Sequence, residues 1–176
     1  MIPSTKCWDI CTSKYLTDIL CKQAGLRTPK TVPISYSEDT DRAVKELNTK
    51  FPIILKASTG TQTGVGVVII ESLRSLNAAV EMLSLHSKYL PLIIQEFIEI
   101  DYDVRVVVLD GRVLGTMKRE VITDGDFRSN ISLGAEASDI KLTEIEERDV
   151  LKAAEIVDGR LVGVDFIPAK NREKEQ

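Results

Sequence analysis

Histidine is nearly missing from this chain of 176 residues; the one present, His86, stands in "LSLHSKYL". A zinc site built on two or more histidines is therefore excluded. Any Ser-His or Cys-His catalysis would have to run through that imidazole, at an expected helix end where a capping or solvated role suits it better. Hydrolase and zinc-enzyme chemistry are set aside. Cysteine is scarce as well. Cys7, Cys11 and Cys21 are odd in number, show no Cys-x-x-Cys spacing, and accompany a start, "MIPSTKCWDI", without a basic-then-apolar signal pattern. They read as reduced packing residues of a cytoplasmic chain. No apolar run approaches the ~20 residues that span a bilayer, so no membrane partner is expected. Nor is basic charge in excess: 23 Lys and Arg against 27 Asp and Glu leave −4. That gives no reason to expect a nucleic-acid partner.

What is present is a globular mix, 43% hydrophobic and 28% charged, in a length that suits one domain or two small subdomains sharing a core. Thr12 or Ser13 can cap a helix with Leu16, Ile19, Leu20 and Ala24 on one face and Gly25 as its stop. "TPKTVPI" reads as an extended edge segment, since Pro29 and Pro33 cannot serve a central strand. Helical spacing marks 38–49 and 73–86, and "LPLIIQEFIEI" is a strand. "YDVRVVVLDGRVLGTMKREVI" is the clearest hairpin, turned by Asp110-Gly111. Residues 123–142 form a long polar loop, of a length that is usually functional. Thr143 with Glu146 then makes a capping box for a helix to about Val157, and "GRLVGVDFI" is the last strand. Adjoining strands among helices predict an α+β fold with mainly antiparallel pairing.

Four features carry candidate chemistry. In "FPIILKASTGTQTGVGVVII", residues 51–70, two apolar runs flank a Gly/Thr-rich loop with Lys56 at its mouth. A Walker loop would need Lys-Ser or Lys-Thr after the last glycine, and the dinucleotide fingerprint a third glycine opening a helix; both fail. A phosphate cradle and a plain hairpin stay open. In "DYDVRV", Asp103 and Arg105 share one strand face opposite valines, which a half-exposed strand would also show. In "MKRE…DGDFRSN", Lys118, Arg119, Arg128 and Asn130 suit an anionic substrate, since arginine grips phosphate or carboxylate through paired hydrogen bonds. The alternative is a solvated charge run. In "GVDFI", Asp165 is a carboxylate within an apolar strand, whose burial without a partner would cost on the order of several kcal/mol. Mg²⁺ or an arginine would satisfy it.

Taken in order, "FPIILK", "GTQ…GVGVV", "QEFI", "DVRV", "GDFRSN", "SLGA" and "GVDFI" resemble the ATP-grasp superfamily. Within it, they are most similar to the RimK-type ligases that add glutamate to a protein C-terminus. The resemblance runs from about Ser13 to Ile167. It implies an ATP-grasp domain over 1–176, with a smaller lid subdomain at about 25–95 and a larger one from 1–24 and 96–176, truncated at its C-terminal end. It implies ATP and Mg²⁺ (or Mn²⁺ in its place) as cofactors, an acidic amino acid such as glutamate as substrate, and a protein C-terminus as acceptor. An oligomer is compatible with it. By resemblance, Lys14 and Lys56 bind phosphate, and the loop carrying Thr61, Gln62, Gly64 and Gly66 closes over the triphosphate. Glu96, Phe97 and Ile98 form the hinge that reads adenine, with Asp103 near the ribose. Arg119 and Arg128, beside Asn130, hold the transferring phosphate and the acidic substrate, and Asp165 is a magnesium ligand.

The sequence also departs from the family. The loop reads "GTQTGVG" where "GTQGIG" is usual, and the Glu-x-Asn segment that supplies further magnesium ligands does not occur in "FIPAKNREKEQ". The domain that precedes the grasp in the family is not among these residues. A fragment of a longer ligase, a naturally short grasp protein and a degenerate nucleotide binder all stay open. Weakened nucleotide binding and impaired catalysis are the expectation. Other rivals are ligases of amino-acid biosynthesis and a purely structural α+β domain.

Overall fold

The computed structural model describes residues 3–34, 39–59, 66–85, 91–120, 137–170 and 172. They form five helices and eight strands among the described residues, arranged in two four-stranded sheets whose pairings are all antiparallel. The chain divides into two compact units: Thr12–Ile19 with Arg27–Ile98, and Met1–Cys11 with Leu20–Leu26 and Glu99–Gln176.

In the first of these, β1 (Thr31–Ile34), β4 (Leu92–Glu96), β2 (Ile53–Ala57) and β3 (Val67–Ile70) lie side by side in that order. The Ile and Leu runs of the central strands, 53–55 in β2 and 92–94 in β4, are buried. Pro33 lies on the edge strand β1, where a missing N–H leaves no ladder bond unmade. Helices α3 (Thr40–Leu47) and α4 (Leu73–Ser84) supply Ala43, Leu47, Leu76 and Val80 to a core with Ile53, Leu55, Ile70 and Ile94. β2 and β3 are partners in register from Ile53↔Ile70 to Lys56↔Val67, so the glycine-rich stretch joins two paired strands.

The other unit is built on β7 (Ala137–Ser138), β6 (Arg112–Glu120), β5 (Tyr102–Leu109) and β8 (Leu161–Phe166), in that order. Val104, Val106 and Val108 point into a core closed by Val150 and Ala154 of α5 (Glu144–Ile156). Alternation therefore sends Asp103 and Arg105 to the opposite face of β5. Asp110 and Gly111 both take positive φ, 46° and 72°, as a two-residue hairpin turn between twisted strands requires. The Thr143–Glu146 capping box forms in both directions.

Two features depart from the sequence reading. A helix not foreseen, α1 (Thr5–Thr12), precedes α2 (Lys14–Gln23); Ser4 caps it by accepting from the Cys7 amide at 3.1 Å. Of the long polar loop, residues through 136 lie outside those described, but Ala137–Ser138 form a strand on Arg119 and Lys118. Ser13, one of the two caps the sequence offers, caps α2, its Oγ accepting from the Leu16 amide at 3.2 Å.

Candidate functional site

Two lysines from separate stretches meet in the first unit. The carbonyl of Ser58, just past the end of β2, accepts from the backbone amide of Lys14 at 2.8 Å, and Ser13 forms a β-bridge with Thr59. The first turn of α2 is thereby pinned to the strand that carries Lys56. Burial is the main force pushing the Lys56 pKa down, to about 8; the charge of Lys14 adds to it, and Asp18, one turn along α2, acts against it. Lys14 is lowered by burial too. Two partly desolvated ammonium groups that disfavour each other make a place where an anion gains from both.

The Lys56 ammonium donates to Gln95 Oε1 at 2.6 Å, Gln95 Nε2 to Thr31 Oγ1 at 2.7 Å, and the Thr31 hydroxyl to the carbonyl of Pro29 at 3.0 Å. Glu96 ends β4, exchanging bonds with Lys30: its amide donates to the Lys30 carbonyl at 3.0 Å, and its Oε1 accepts from the Lys30 amide at 2.8 Å. Phe97 and Ile98 follow, both half-buried.

In the second unit four charged side chains share one sheet face. Asp103 and Arg119 are direct partners across β5 and β6, and Arg105 and Asp165 across β5 and β8. Arg119 grips Asp103 with two hydrogen bonds, Nε to Oδ1 at 2.7 Å and Nη2 to Oδ2 at 2.6 Å. Its Nη2 also lies 3.2 Å from Asp165 Oδ1. Arg105 Nη1 reaches both oxygens of Asp165, at 3.2 and 3.1 Å. Burial alone would lower the Arg119 pKa, yet the bonds and charges of Asp103 and Asp165 hold it above the ordinary arginine value. The network is graded. Arg119 and Asp103 are nearly closed to solvent, with side chains 9% and 14% exposed, while Arg105 and Asp165 stand open at 43% and 47%. Gly163 makes room for it: a Cβ there would lie 2.7 Å from Arg105 Nη2.

Of the residues singled out in the sequence, the structure brings Lys14 and Lys56 together in one unit, and Asp103, Arg119 and Asp165 together in the other. Gly66 enters β3 with φ 81°. Thr61, Gln62, Gly64, Arg128 and Asn130 lie outside the described residues, as does His86. Asp165 is half-exposed, and arginine supplies its partner. Two participants escaped the sequence reading. Asp18 sits four residues after Lys14 on α2, a spacing that could have pointed to it. Gln95 adjoins Glu96 in "QEF", but its meeting with Lys56 and Thr31 depends on strand register that no local pattern shows. Arg105 was visible by alternation beside Asp103, without a sign that it would hold Asp165.

Among the described residues, no group of three or more His, Cys, Asp or Glu side chains could hold a metal ion. Asp165 brings a single carboxylate already faced by two guanidinium groups. These residues do not by themselves fit a resident Mg²⁺, which seeks several oxygen ligands in near-octahedral array. No helix among them is long and apolar enough to cross a membrane.

Comparison with known proteins adds three findings. The model of the RimK-like ATP-grasp domain matches residues 11–173. A probable alpha-L-glutamate ligase of Vibrio atlanticus (strain LGP32) is 34% identical over 155 residues, 86% of this chain and 50% of that protein. The chain thus spans about half the length of the curated relatives it matches. Among solved structures, the VanG D-Ala:D-Ser ligase from Enterococcus faecalis superposes with a TM-score of 0.73 at 20% identity, covering 96% of this chain and 52% of that one. The ATP-grasp ligase PsnB, complexed with minimal precursor, Mg and ADP, superposes with a TM-score of 0.69 at 22% identity, covering 96% and 49%. At these identities the structures speak for the fold.

Proposed function

Because this chain belongs to the RimK-like ATP-grasp family, we propose that it carries the nucleotide site of an ATP-dependent carboxylate–amine ligase, with glutamate joined to a protein or peptide C-terminus. The observation that carries the reading is the convergence of Lys14 and Lys56 beside a glycine-bearing hairpin. A triphosphate offers charged oxygens that two crowded ammonium groups can share through charge-assisted hydrogen bonds. Backbone amides around Gly64 and Gly66, with Thr61 and Gln62, would meet the phosphates from the hairpin side. Glu96, Phe97 and Ile98 would present backbone groups to adenine. Mg²⁺ enters this reading as part of the Mg·ATP substrate, with Mn²⁺ able to take its place.

The reaction is a carboxylate attack on the γ-phosphorus, releasing ADP and leaving an acyl phosphate. With the C-terminal carboxylate activated in this way, the glutamate amine attacks the acyl carbon, phosphate departs, and the nitrogen loses a proton as the amide forms. Negative charge gathers on the transferring group, and cations fixed beforehand lower that barrier without reorganising. Lys14 and Lys56 would do so in this reading. The bidentate pair suggests that Asp103 serves by fixing Arg119 rather than by meeting a ribose. Arg128 and Asn130 complete the proposed set toward the acidic substrate.

The test is phosphate release from ATP in the presence of glutamate and an acceptor peptide. Release that depends on glutamate supports the reading. Binding of ATP with release stimulated only by a different acid would move the chain to another ligase of the same fold. No ATP binding at all would overturn it.

A further inference from the structure

Resting on the reading that Lys56 meets a phosphate, we infer that Gln95 and Thr31 are positioning residues that aim the Lys56 ammonium through uncharged hydrogen bonds. The geometry orders every proton in the chain. A carbonyl can only accept, so the Pro29 carbonyl takes the Thr31 hydroxyl proton at 3.0 Å. Thr31 Oγ1 is then left as acceptor and draws the amide NH₂ of Gln95 to 2.7 Å. That fixes which end of the Gln95 amide faces the other way. Its oxygen must point at Lys56, and does so at 2.6 Å.

Strand register builds this arrangement. Gln95 of β4 is opposite Thr31 on β1 and opposite Ile54 on β2, which places Lys56 diagonally across, within reach of a long side chain. The chain of bonds thus crosses three strands, and rigid elements rather than a loop hold it. The choice of an amide matters chemically. A carboxylate at the Gln95 position would hold the ammonium as firmly, but would neutralise it and compete with an incoming phosphoryl oxygen. A neutral oxygen orients the cation and leaves its charge available. The charged groups that act on Lys56 are Lys14 and Asp18, both of α2. β4 and β3 present Ile93 and Val67 at the paired positions.

The experiment compares wild type with Gln95→Glu, Thr31→Val and Thr31→Ser by two readouts. One is the NMR titration of the Lys56 ε-methylene without nucleotide; the other is ATP affinity by calorimetry. Gln95→Glu should raise the Lys56 titration midpoint by about one pH unit or more and weaken ATP roughly tenfold. Thr31→Val removes the anchor of the amide, so the midpoint should drop and ATP affinity fall about threefold or more. Thr31→Ser keeps the hydroxyl and should restore both, which a merely structural loss at Thr31 would not require. Wild-type affinity for ATP together with unchanged behaviour of Gln95→Glu and Thr31→Val would overturn this inference and leave the proposed function standing. A wild type that does not bind ATP would instead defeat the proposed function, and this inference with it.

Discussion

Lys14 and Lys56 stand near enough for the charge of one to depress the pKa of the other, although they come from the opening helix turn and a central strand. The backbone bond from Lys14 to Ser58 makes the approach obligatory. Such crowding costs stability in the empty protein and yields it back to an anionic ligand.

Nucleotide affinity should therefore depend on alkaline pH. Lys56 titrates at about 8 in the free protein, and a bound triphosphate would raise that value. Affinity is then full below pH 8, where the lysine is charged in both states, and declines as pH rises through 8 toward the bound-state pKa. Calorimetric titrations with ATP between pH 6.5 and 10 check the slope. An affinity flat across that range would count against Lys56 as a contact.

The same shift has a consequence for folding. Its folded pKa of about 8 lies below the ordinary 10.5, so the charged lysine opposes folding at neutral pH. That opposition is fully present below 8 and fades as pH climbs toward 10.5. Lys56→Met should accordingly be more stable at pH 7 by about 1 kcal/mol, less than the shift alone suggests, because Gln95 loses its donor. Thermal melts at pH 7 and pH 10 test this; the gain should shrink at the higher pH.

Much of this fold could be read from alternation and turn chemistry. Asp110-Gly111 announced its hairpin, Thr143 with Glu146 its helix, and Pro33 its edge position, because each acts within a few residues. Helix α1 went unseen because only Ser4 marks it, and short helices owe most of their stability to packing, here of Cys7 and Ile10 against Val157. The candidate site was legible where a residue type declares its chemistry, as with Lys56 at the mouth of its loop and Arg119 in its charged run. What stayed hidden was pairing. Which guanidinium groups would face Asp165, and whether Gln95 would reach Lys56, depended on strands brought together from distant parts of the chain.

The graded ion network predicts a sharp contrast between its two arginines. Arg119→Ala strands the closed-off Asp103 carboxylate and should cost about 3–5 kcal/mol. Lysine should not restore it, since one ammonium cannot replace two parallel bonds. Arg105→Ala, on an open pair, should cost less than about 1 kcal/mol. Urea unfolding of the three variants decides; similar losses for Arg119→Ala and Arg105→Ala would refute the grading.

Gly163 should matter through Arg105 alone. A methyl there would press on the guanidinium at 2.7 Å, the movable end of a long side chain, so Gly163→Ala should fold with a loss below about 1 kcal/mol. The displaced Arg105 should release Asp165, detectable as a shift in the carboxyl carbon resonance of Asp165. An unchanged resonance would show that Gly163 has no part in placing the pair.

The most direct measurement is a double-mutant cycle of ATP affinity on Lys14→Met and Lys56→Met. If both ammonium groups serve one triphosphate, each single change weakens binding about tenfold or more, and the double change departs from their sum by about 0.5–3 kcal/mol. Additive effects, or single variants that bind ATP as wild type does, would contradict the account.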